Sequence, residues 1–241
     1  MTHVDTASDR AVFRQIADRL RTEITAGDLV EGARLPSESD LMRAHGTARE
    51  TVRRALGLLK SEGLIVTEHG RGAFVRRRHA VIRRRPDGAG TEGRDIETLS
   101  VSRIKADAVL AGQLNIRTRS GVLARVRRYL DDGEPVEIAT SYIPWRLAGG
   151  NALAETDPGP GGLYARLAEI GHPVERFTED LSARMPSPDE ARALRLAEGV
   201  PVFAVVRIAH DQAGAPVEAV HAVMAGDRFI LSYDLPTGSA R

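Results

Sequence analysis

Two arginines, Arg49 and Arg53, stand four residues apart in a segment whose apolar pattern predicts a helix. Residues spaced by four lie on one helix face, and this face is opposite the apolar residues Val52, Leu56 and Leu59. A guanidinium group can donate two hydrogen bonds to O6 and N7 of guanine, which is the commonest base-specific contact of a side chain. The spacing therefore predicts a helix that reads bases in the major groove of double-stranded DNA.

Groups on either side of this helix favour contact with the DNA backbone. The helix N-terminus directs free N–H groups and the positive end of the helix dipole toward phosphates. In the turn at residues 69–72, glycines allow close approach, and His69 and Arg71 can reach the minor groove or phosphates. A single arginine is more often a solvated surface charge, so the prediction depends on the whole ordered set. The predicted DNA-contacting residues are Ser37, Thr47, Arg49, Thr51, Arg53, Arg54, His69, Gly70, Arg71 and Gly72.

A second group of polar residues lies on predicted strands in the C-terminal part of the chain. Arg125 and Arg127 share one face of a strand, because side chains alternate between the two faces. Two converging guanidinium groups suit a carboxylate or phosphate ligand through bidentate contacts. The alternative is cross-strand pairing at the surface, worth about 1 kcal/mol or less. Further candidates on neighbouring predicted strands are Glu137, Ser141, Tyr142 and Glu218.

The sequence offers little for catalysis or for binding a metal ion. It contains no cysteine, and its seven histidines are scattered without the spacing of metal ligands. A nucleophile elbow and a phosphate-binding loop are both absent from the sequence. Glu137 beside Arg127 could imitate an acid site, but any polar pocket could do the same. We therefore expect a binding protein without a cofactor or metal, with an enzyme as the alternative.

The elements that must position the first group are three helices and a hairpin. Ser37 precedes Asp40 by three residues and is predicted to be the N-cap of the second helix. Thr47 and Glu50 have the spacing of a capping box, which predicts the start of the third helix. Such an arrangement forms a winged helix-turn-helix. The predicted elements are helices at 11–26, 38–44 and 47–61 and strands at 64–67 and 73–76.

The remainder of the chain predicts a linker and then an α+β domain. Residues 77–95 are rich in arginine and then glycine, and their arginines could follow DNA phosphates or form a solvated link. Two hairpins, around Asp132-Gly133 and Ala213-Gly214, predict a largely antiparallel sheet with helices on one face. The predicted strands are 98–104, 122–131, 135–143, 174–184, 200–210, 216–225 and 229–235, and the predicted helices are 107–113, 162–170 and 187–196.

The composition is that of a soluble globular chain, with 42% hydrophobic and 28% charged residues. Residues 1–85 contain 17 basic and 11 acidic residues, whereas residues 86–241 contain 17 and 22. This asymmetry favours nucleic-acid contact at the N-terminal end. The polar N-terminus and the lack of an apolar run of about 20 residues argue against a secretion signal and a membrane span. We therefore expect a cytoplasmic, nucleoid-associated protein.

Residues 13–75 resemble the GntR family of bacterial transcription regulators. The resemblance is carried by the segments FRQIADRLRTEITAGDLVEGARLPSESDL, AHGTARETVRRAL and LLKSEGLIVTEHGRGAFV. It implies base contacts for Arg49 and Arg53, a phosphate contact for Ser37, and backbone contacts for Gly70 and Gly72.

Residues 97–235 resemble the UTRA domain, an effector-binding domain of the HutC-like branch of this family. The resemblance is carried by VLARVRRYLDDGEPVEIATSYIP, GGLYARLAEIGHPVERFTEDLSARMPSPDEARALRL, GVPVFAVVRIAHDQAGAPVEAV and GDRFILSY. It implies an antiparallel sheet with helices, similar to the enzyme chorismate lyase. It also implies that a small-molecule effector binds at Arg125, Arg127, Glu137, Ser141, Tyr142, Glu218 and Tyr233.

The chain departs from these families at three places. Ala48 stands where serine or threonine is usual, so Thr47 is expected to cap the third helix instead. Ser39 stands where arginine is frequent, so one DNA contact is missing. Residues 79–86 contain three arginines and no serine or threonine, where sugar-phosphate-binding relatives are rich in serine and threonine, which argues against a sugar phosphate.

Together these observations predict an α+β protein with a DNA-binding and an effector-binding domain. We expect a homodimer that represses transcription from operator DNA and is gated by a small effector, anionic if the two strand arginines bind it. A chorismate-lyase-like enzyme and an effector-independent repressor are the alternatives. The predicted parts are a disordered N-terminus at 1–9, a winged helix-turn-helix at 10–76, a linker at 77–95, a UTRA domain at 96–236 and a tail at 237–241.

Overall fold

The chain forms two compact units. The first, called the N-terminal unit, comprises residues 1–80 with 197–200, and the second, called the C-terminal unit, comprises residues 81–196 with 201–241. The computed structural model describes residues 6–68, 70–76, 81–84, 94–157 and 159–233, with side chains from Val12 onward.

The N-terminal unit is a three-helix fold with a two-stranded wing. Its apolar residues form one core, in which Ile16 of the first helix, Val52 and Leu59 of the third helix and Ile65 of the wing are fully buried. The two strands are antiparallel, with Ile65 opposite Val75. The elements are α1 (Thr6–Ala26), α2 (Glu38–His45), α3 (Arg49–Ser61), β1 (Ile65–Glu68) and β2 (Gly72–Val75).

Helix starts differ from the predictions in two cases. α1 begins at Thr6, so it includes part of the predicted disordered N-terminus, whose first five residues lie outside the described part. At α2 the prediction is confirmed, since the Ser37 side chain accepts a hydrogen bond from the Asp40 backbone at 3.1 Å. At α3 the prediction was wrong, because Ala48 occupies the N-cap and no side chain caps the helix. Thr47 precedes the cap position and therefore cannot serve as the predicted capping residue.

The C-terminal unit is built on one six-stranded antiparallel sheet with the strand order β4-β5-β6-β9-β8-β7. β7 and β9 have the predicted bounds, and both predicted hairpins are present, joining β5 to β6 and β8 to β9. The strands are β3 (Ile82–Arg84), β4 (Asp95–Lys105), β5 (Gly121–Asp131), β6 (Glu134–Pro144), β7 (Val174–Arg184), β8 (Val202–Asp211), β9 (Pro216–Ala225) and β10 (Phe229–Leu231). The helices are α4 (Ala108–Gln113), α5 (Trp145–Ala148), α6 (Gly162–Glu169) and α7 (Pro188–Ala193), with a 3-10 turn at Ala152–Ala154.

Helices cover both faces of this sheet, not one face as predicted. Val122 and Leu123 are neighbours on β5, so their side chains point to opposite faces. Val122 packs with Leu110 of α4, whereas Leu123 packs with Leu147 of α5 and Leu167 of α6. The sequence analysis missed α5 and the 3-10 turn, which are too short to show a helical period.

The predicted linker contains a strand. β3 pairs in parallel with β10, with Ile82 opposite Phe229, and the Ile82 N–H donates to the Arg228 carbonyl at 2.7 Å. The polar sequence of this segment gave no indication of β3, which pairs with a strand that is distant in the sequence. Residues 77–80 and 85–93 of the predicted linker, and the predicted tail, lie outside the described part. Among the described helices, none is both long and apolar enough to cross a membrane.

Candidate functional site

α3 presents a polar face whose centre is the pair Arg49 and Arg53, as the spacing predicted. Their side chains are 63% and 64% exposed, while Val52 and Leu59 are buried in the core on the other side. The first turn of α2 faces the same pair. Glu38, which the sequence analysis did not single out, places one carboxylate oxygen 3.5 Å from Nε of Arg49 and the other 3.5 Å from Nε of Arg53.

Two of the other predicted residues of α3 are placed differently. Thr51 is only 4% exposed, because its position on the helix turns it toward the core with Val52 and Ala55. This burial withdraws Thr51 from the predicted DNA-contacting set. The guanidinium carbon of Arg54 lies 4.6 Å from the centre of the Phe13 ring, a distance that suits a cation–π contact with α1.

The wing places its glycines beside the groove next to α3. Gly70 and Gly72 have φ values of 74° and 114°, a region that strongly favours glycine. At Gly72 a Cβ would also lie 3.2 Å from Nε of Arg34, so the Arg34 side chain would have to shift slightly to admit it. Arg71 forms an ion pair with Glu68. His69 lies outside the described residues. A groove of about 580 Å³ includes in its lining Ser37, Glu38, Arg53, Lys60, Gly70 and Gly72.

In the C-terminal unit, one face of the sheet forms a cavity of about 500 Å³. Small residues of three central strands, among them Ala139, Val205 and Ala222, line it together with the first turn of α6. Most of the predicted effector residues line this cavity. They are Arg125, Arg127, Glu137, Ser141 and Glu218.

Two predicted effector residues lie elsewhere. Tyr142 follows Ser141 on β6 and therefore points to the opposite face, where its ring packs against His221 with centres 5.1 Å apart. Tyr233 does not line the cavity and is 41% exposed, and its hydroxyl donates to Glu179 at 3.0 Å. Both residues were expected as direct ligands, and the structure instead gives them packing and bridging contacts.

Arg125 is the most buried charge of the cavity, with no exposed surface. Its Nη2 donates to the carbonyl oxygens of Leu153 and Glu155 at 2.7 and 2.6 Å, while Nε and Nη1 have no hydrogen-bond partner among the described residues. Burial lowers the pKa of Arg125, and the neighbouring Arg127 lowers it further. The Nε of Arg127 is likewise buried without a partner.

Two buried carboxyl groups line the same cavity. Glu218 accepts hydrogen bonds from the hydroxyls of Ser141 and Tyr164, the latter at 2.9 Å. Burial raises the pKa of Glu218, and these two hydrogen bonds offset the rise only in part. Burial also raises the pKa of Glu137, whose carboxylate lies 3.6 Å from Nη1 of Arg94.

The sequence analysis missed an ion cluster at the side of the cavity. Glu179 of β7 accepts from Nη2 of Arg84 and from Nε of Arg207, both at 2.8 Å. Burial alone would raise the pKa of Glu179, but these two arginines outweigh it and hold the pKa at about 2. Nη2 of Arg207 is buried without a partner. Only the position of Arg207 directly opposite Glu179 in the strand register could have indicated this cluster.

The arrangement can bind an anion. Several buried guanidinium nitrogens that line one cavity have no acceptor within the part of the chain that the structure describes, and a buried donor without an acceptor is costly. A carboxylate or phosphate would supply the missing acceptors. Among the described residues, no group of histidine and acidic side chains is arranged to hold a metal ion.

The winged helix-turn-helix and the separate domain with a cavity define a DNA-binding regulator with a ligand-binding domain. Residues 13–75 match the bacterial regulatory proteins of the gntR family, and residues 92–230 match the UTRA domain. The chain belongs to the GntR family and carries a UTRA domain. It is therefore a DNA-binding transcription regulator that is modulated through an effector domain.

Relatives and solved structures agree with this assignment. The chain is 33% identical to an HTH-type transcriptional regulator of Streptomyces coelicolor, SCO4628, over 92% of this chain and 91% of the relative. It is 27% identical to the HTH-type transcriptional repressor NagR of Bacillus subtilis, over 94% and 96% of the two chains. A GntR-family regulator of known structure has a TM-score of 0.71 at 25% identity, covering 94% of this chain and 98% of the other. PhnF from Mycobacterium smegmatis has a TM-score of 0.59 at 25% identity, covering 92% and 99%.

Proposed function

We propose that this regulator is a cytoplasmic, homodimeric repressor of the HutC-like branch, released from its operator by a small anionic effector. One observation carries the effector class: the unpaired, buried guanidinium nitrogens of Arg125, Arg127 and Arg207 line one cavity. Its volume of about 500 Å³ is within the range of small-molecule sites. A coupling of about 1–3 kcal/mol would change operator affinity by about 5–150-fold.

The proposed anionic effector site can be tested with variants of two adjacent arginines that lie on opposite faces of β5. Arg127 lines the cavity, whereas Arg128 pairs with Glu97 at the surface. A panel of carboxylates and phosphates is first tested for a rise in the melting temperature of the full-length protein. We expect Arg127→Gln to abolish this rise, and Arg128→Gln to retain it. If no anion raises the melting temperature, or if both variants respond alike, the anionic effector site is rejected.

On the DNA side, we propose that Arg49 and Arg53 contact bases and that Ser37, Thr47 and the wing contact the backbone. The exposed pair on α3 and the adjoining groove support this assignment. The operator is first selected from a pool of random duplexes by the full-length protein. Replacing both arginines with alanine should remove the preference for the selected sequence, whereas Arg19→Ala on α1 should leave the preference unchanged. Retained preference in the double variant would overturn the assignment.

We also propose that the cavity binds its ligand without converting it. The described lining of the cavity contains no histidine, and the chain belongs to a family of transcription regulators. The hydroxyls of Ser141 and Tyr164 both donate to Glu218, which is the group that would have to act as the base in the enzymatic alternative. Incubation of the protein with the identified effector, followed by NMR, should return the effector unchanged. Turnover that is lost in Arg127→Gln would instead support an enzyme.

A further inference from the structure

Glu38 is an acidic residue on the face of the N-terminal unit that carries the two groove-reading arginines. Its side chain is 38% exposed and lies in the groove between α3 and the wing. A carboxylate at this place repels the phosphates of any duplex that docks there, so it weakens the sequence-independent part of binding. Because Glu38 weakens binding to phosphates, it must contribute to DNA recognition in some other way.

The contacts of Glu38 with Arg49 and Arg53 indicate what this contribution is. Its two oxygens divide between two partners, with Oε2 at 3.5 Å from Nε of Arg49 and Oε1 at 3.5 Å from Nε of Arg53. An arginine reads guanine by donating two hydrogen bonds from its guanidinium group, and two donors are enough for this contact. A carboxylate that engages Nε therefore restrains the side chain while leaving the terminal nitrogens available for the base.

The restraint also limits what each arginine can do instead. A free arginine has considerable rotamer entropy and can swing to a phosphate on any sequence. Both arginines belong to α3, whereas Glu38 belongs to α2, so the bridge ties the two helices of the motif at the point of base contact. One carboxylate thus favours base contact and disfavours phosphate contact at the same time.

We propose that Glu38 is a specificity-determining residue, which positions Arg49 and Arg53 for guanine and weakens binding to non-operator DNA. The proposal rests on the proposed base contacts of the two arginines and goes beyond them. The ordinary alternative is that Glu38 only stabilises α2, since an acidic residue in the first turn interacts favourably with the helix dipole.

The test measures the affinity of the full-length protein for the selected operator and for a duplex of equal length with its guanines replaced. In Glu38→Gln we expect tighter binding to the non-operator duplex and a fall of about tenfold in the operator preference, within the range of one base contact. Glu50→Gln is the matched control, because Glu50 carries the same charge in the first turn of α3. We expect Glu50→Gln to keep the operator preference.

Glu38→Asp separates the two parts of the proposal. It keeps the negative charge but is too short to reach both Nε atoms, so operator preference should fall without tighter non-operator binding. In the background of the single Arg49→Ala variant, which keeps Arg53, Glu38→Gln should cause a smaller further loss of preference than in the wild type, because Glu38 acts through those arginines.

The outcomes distinguish the two proposals. If the arginine double variant loses operator preference but Glu38→Gln and Glu38→Asp, both folded by circular dichroism, retain it, the role of Glu38 is overturned and the base contacts stand. If the arginine double variant itself retains operator preference, both proposals fail. A loss of operator preference in Glu38→Gln that is matched in Glu50→Gln would assign Glu38 to the stability of the helix start alone.

Discussion

At the scale of single residues, two carboxyl groups near one cavity have pKa values that shift in opposite directions. Burial raises the pKa of Glu218, whose partners are the uncharged hydroxyls of Ser141 and Tyr164. Glu179 is held ionised at neutral pH because two arginines contact it directly. The number of charged partners, more than burial itself, decides the direction in which the pKa of each carboxyl group shifts.

Glu179→Gln should destabilise the C-terminal unit by about 3–5 kcal/mol, since it leaves buried arginine charges without their counter-charge. The pKa of Glu179 falls from the ordinary 4.5 to about 2 on folding. Its stabilisation is therefore fully present above the ordinary value and is lost as the pH falls toward 2. Urea unfolding of the wild type and the variant should differ most at neutral pH, and the difference should shrink in acid.

The matched control for this prediction is Glu97→Gln. Glu97 pairs with Arg128 at the surface, where an ion pair contributes about 1 kcal/mol or less. If Glu97→Gln and Glu179→Gln are equally destabilising, or if the effect of Glu179→Gln grows in acid, the described cluster does not stabilise the fold.

At the scale of secondary-structure elements, helix starts depend on one residue each. Ser37 and Ser187 cap α2 and α7 with ψ values of 158° and 162°, and each accepts a hydrogen bond from a backbone N–H in the first turn. Ala48 has nearly the same backbone conformation, with ψ of 155°, but no side chain that can accept. The backbone at Ala48 therefore has the geometry of an N-cap, and only a side-chain oxygen that could accept the hydrogen bond is missing.

Ala48→Ser should stabilise the protein by about 1 kcal/mol, because serine can complete the cap without a change in backbone conformation. Thr47→Ala, at the residue that the sequence indicated as the cap, should change stability by less than about 0.5 kcal/mol. Thermal unfolding of both variants checks the prediction. The opposite order of effects would restore Thr47 as the capping residue.

β3 should be part of the folded C-terminal unit. A fragment of residues 81–241 retains the pairing of β3 with β10 and the Arg84–Glu179 ion pair, and a fragment of residues 96–241 loses both. The longer fragment should therefore melt several degrees higher by circular dichroism, since about 1 kcal/mol shifts the melting temperature by about 2–8 °C. Equal melting temperatures would show that residues 81–95 are only a linker.

At the scale of the whole molecule, positive charge is concentrated in the part that reads DNA. Residues 1–85 carry 17 basic and 11 acidic residues, whereas residues 86–241 carry 17 and 22. Binding through phosphates releases counterions, so operator affinity should fall steeply with salt. The GntR assignment covers one end of the chain and the UTRA assignment the other, in agreement with this division.

Loss of a phosphate contact and loss of base contacts should have different effects on the salt dependence of DNA affinity. Arg71→Ala in the wing should lower affinity for all duplexes and reduce the slope of log affinity against log salt by about 1. The Arg49→Ala and Arg53→Ala double variant should instead remove sequence preference. Fluorescence anisotropy at several salt concentrations measures both quantities. A wing variant with an unchanged salt slope would place Arg71 away from the phosphates.

The sequence by itself determined most of the elements and their order, the family and the exposed arginine pair of α3. Each of these depends on local spacing: every fourth residue on a helix, every second on a strand, and glycine at a tight turn. Side chains alternate between the two faces of a strand, so the neighbours Ser141 and Tyr142 could not line the same cavity. The sequence already implied this, although both residues were predicted as ligands.

Only the tertiary structure decided which distant residues meet. It paired β3 with β10, placed Glu179 between Arg84 and Arg207, and set Glu38 between Arg49 and Arg53. The physical reason is that these contacts depend on strand order, register and helix crossing, which no local period encodes. A charged residue can be identified from the sequence alone. Its role depends on the partner that folding places beside it.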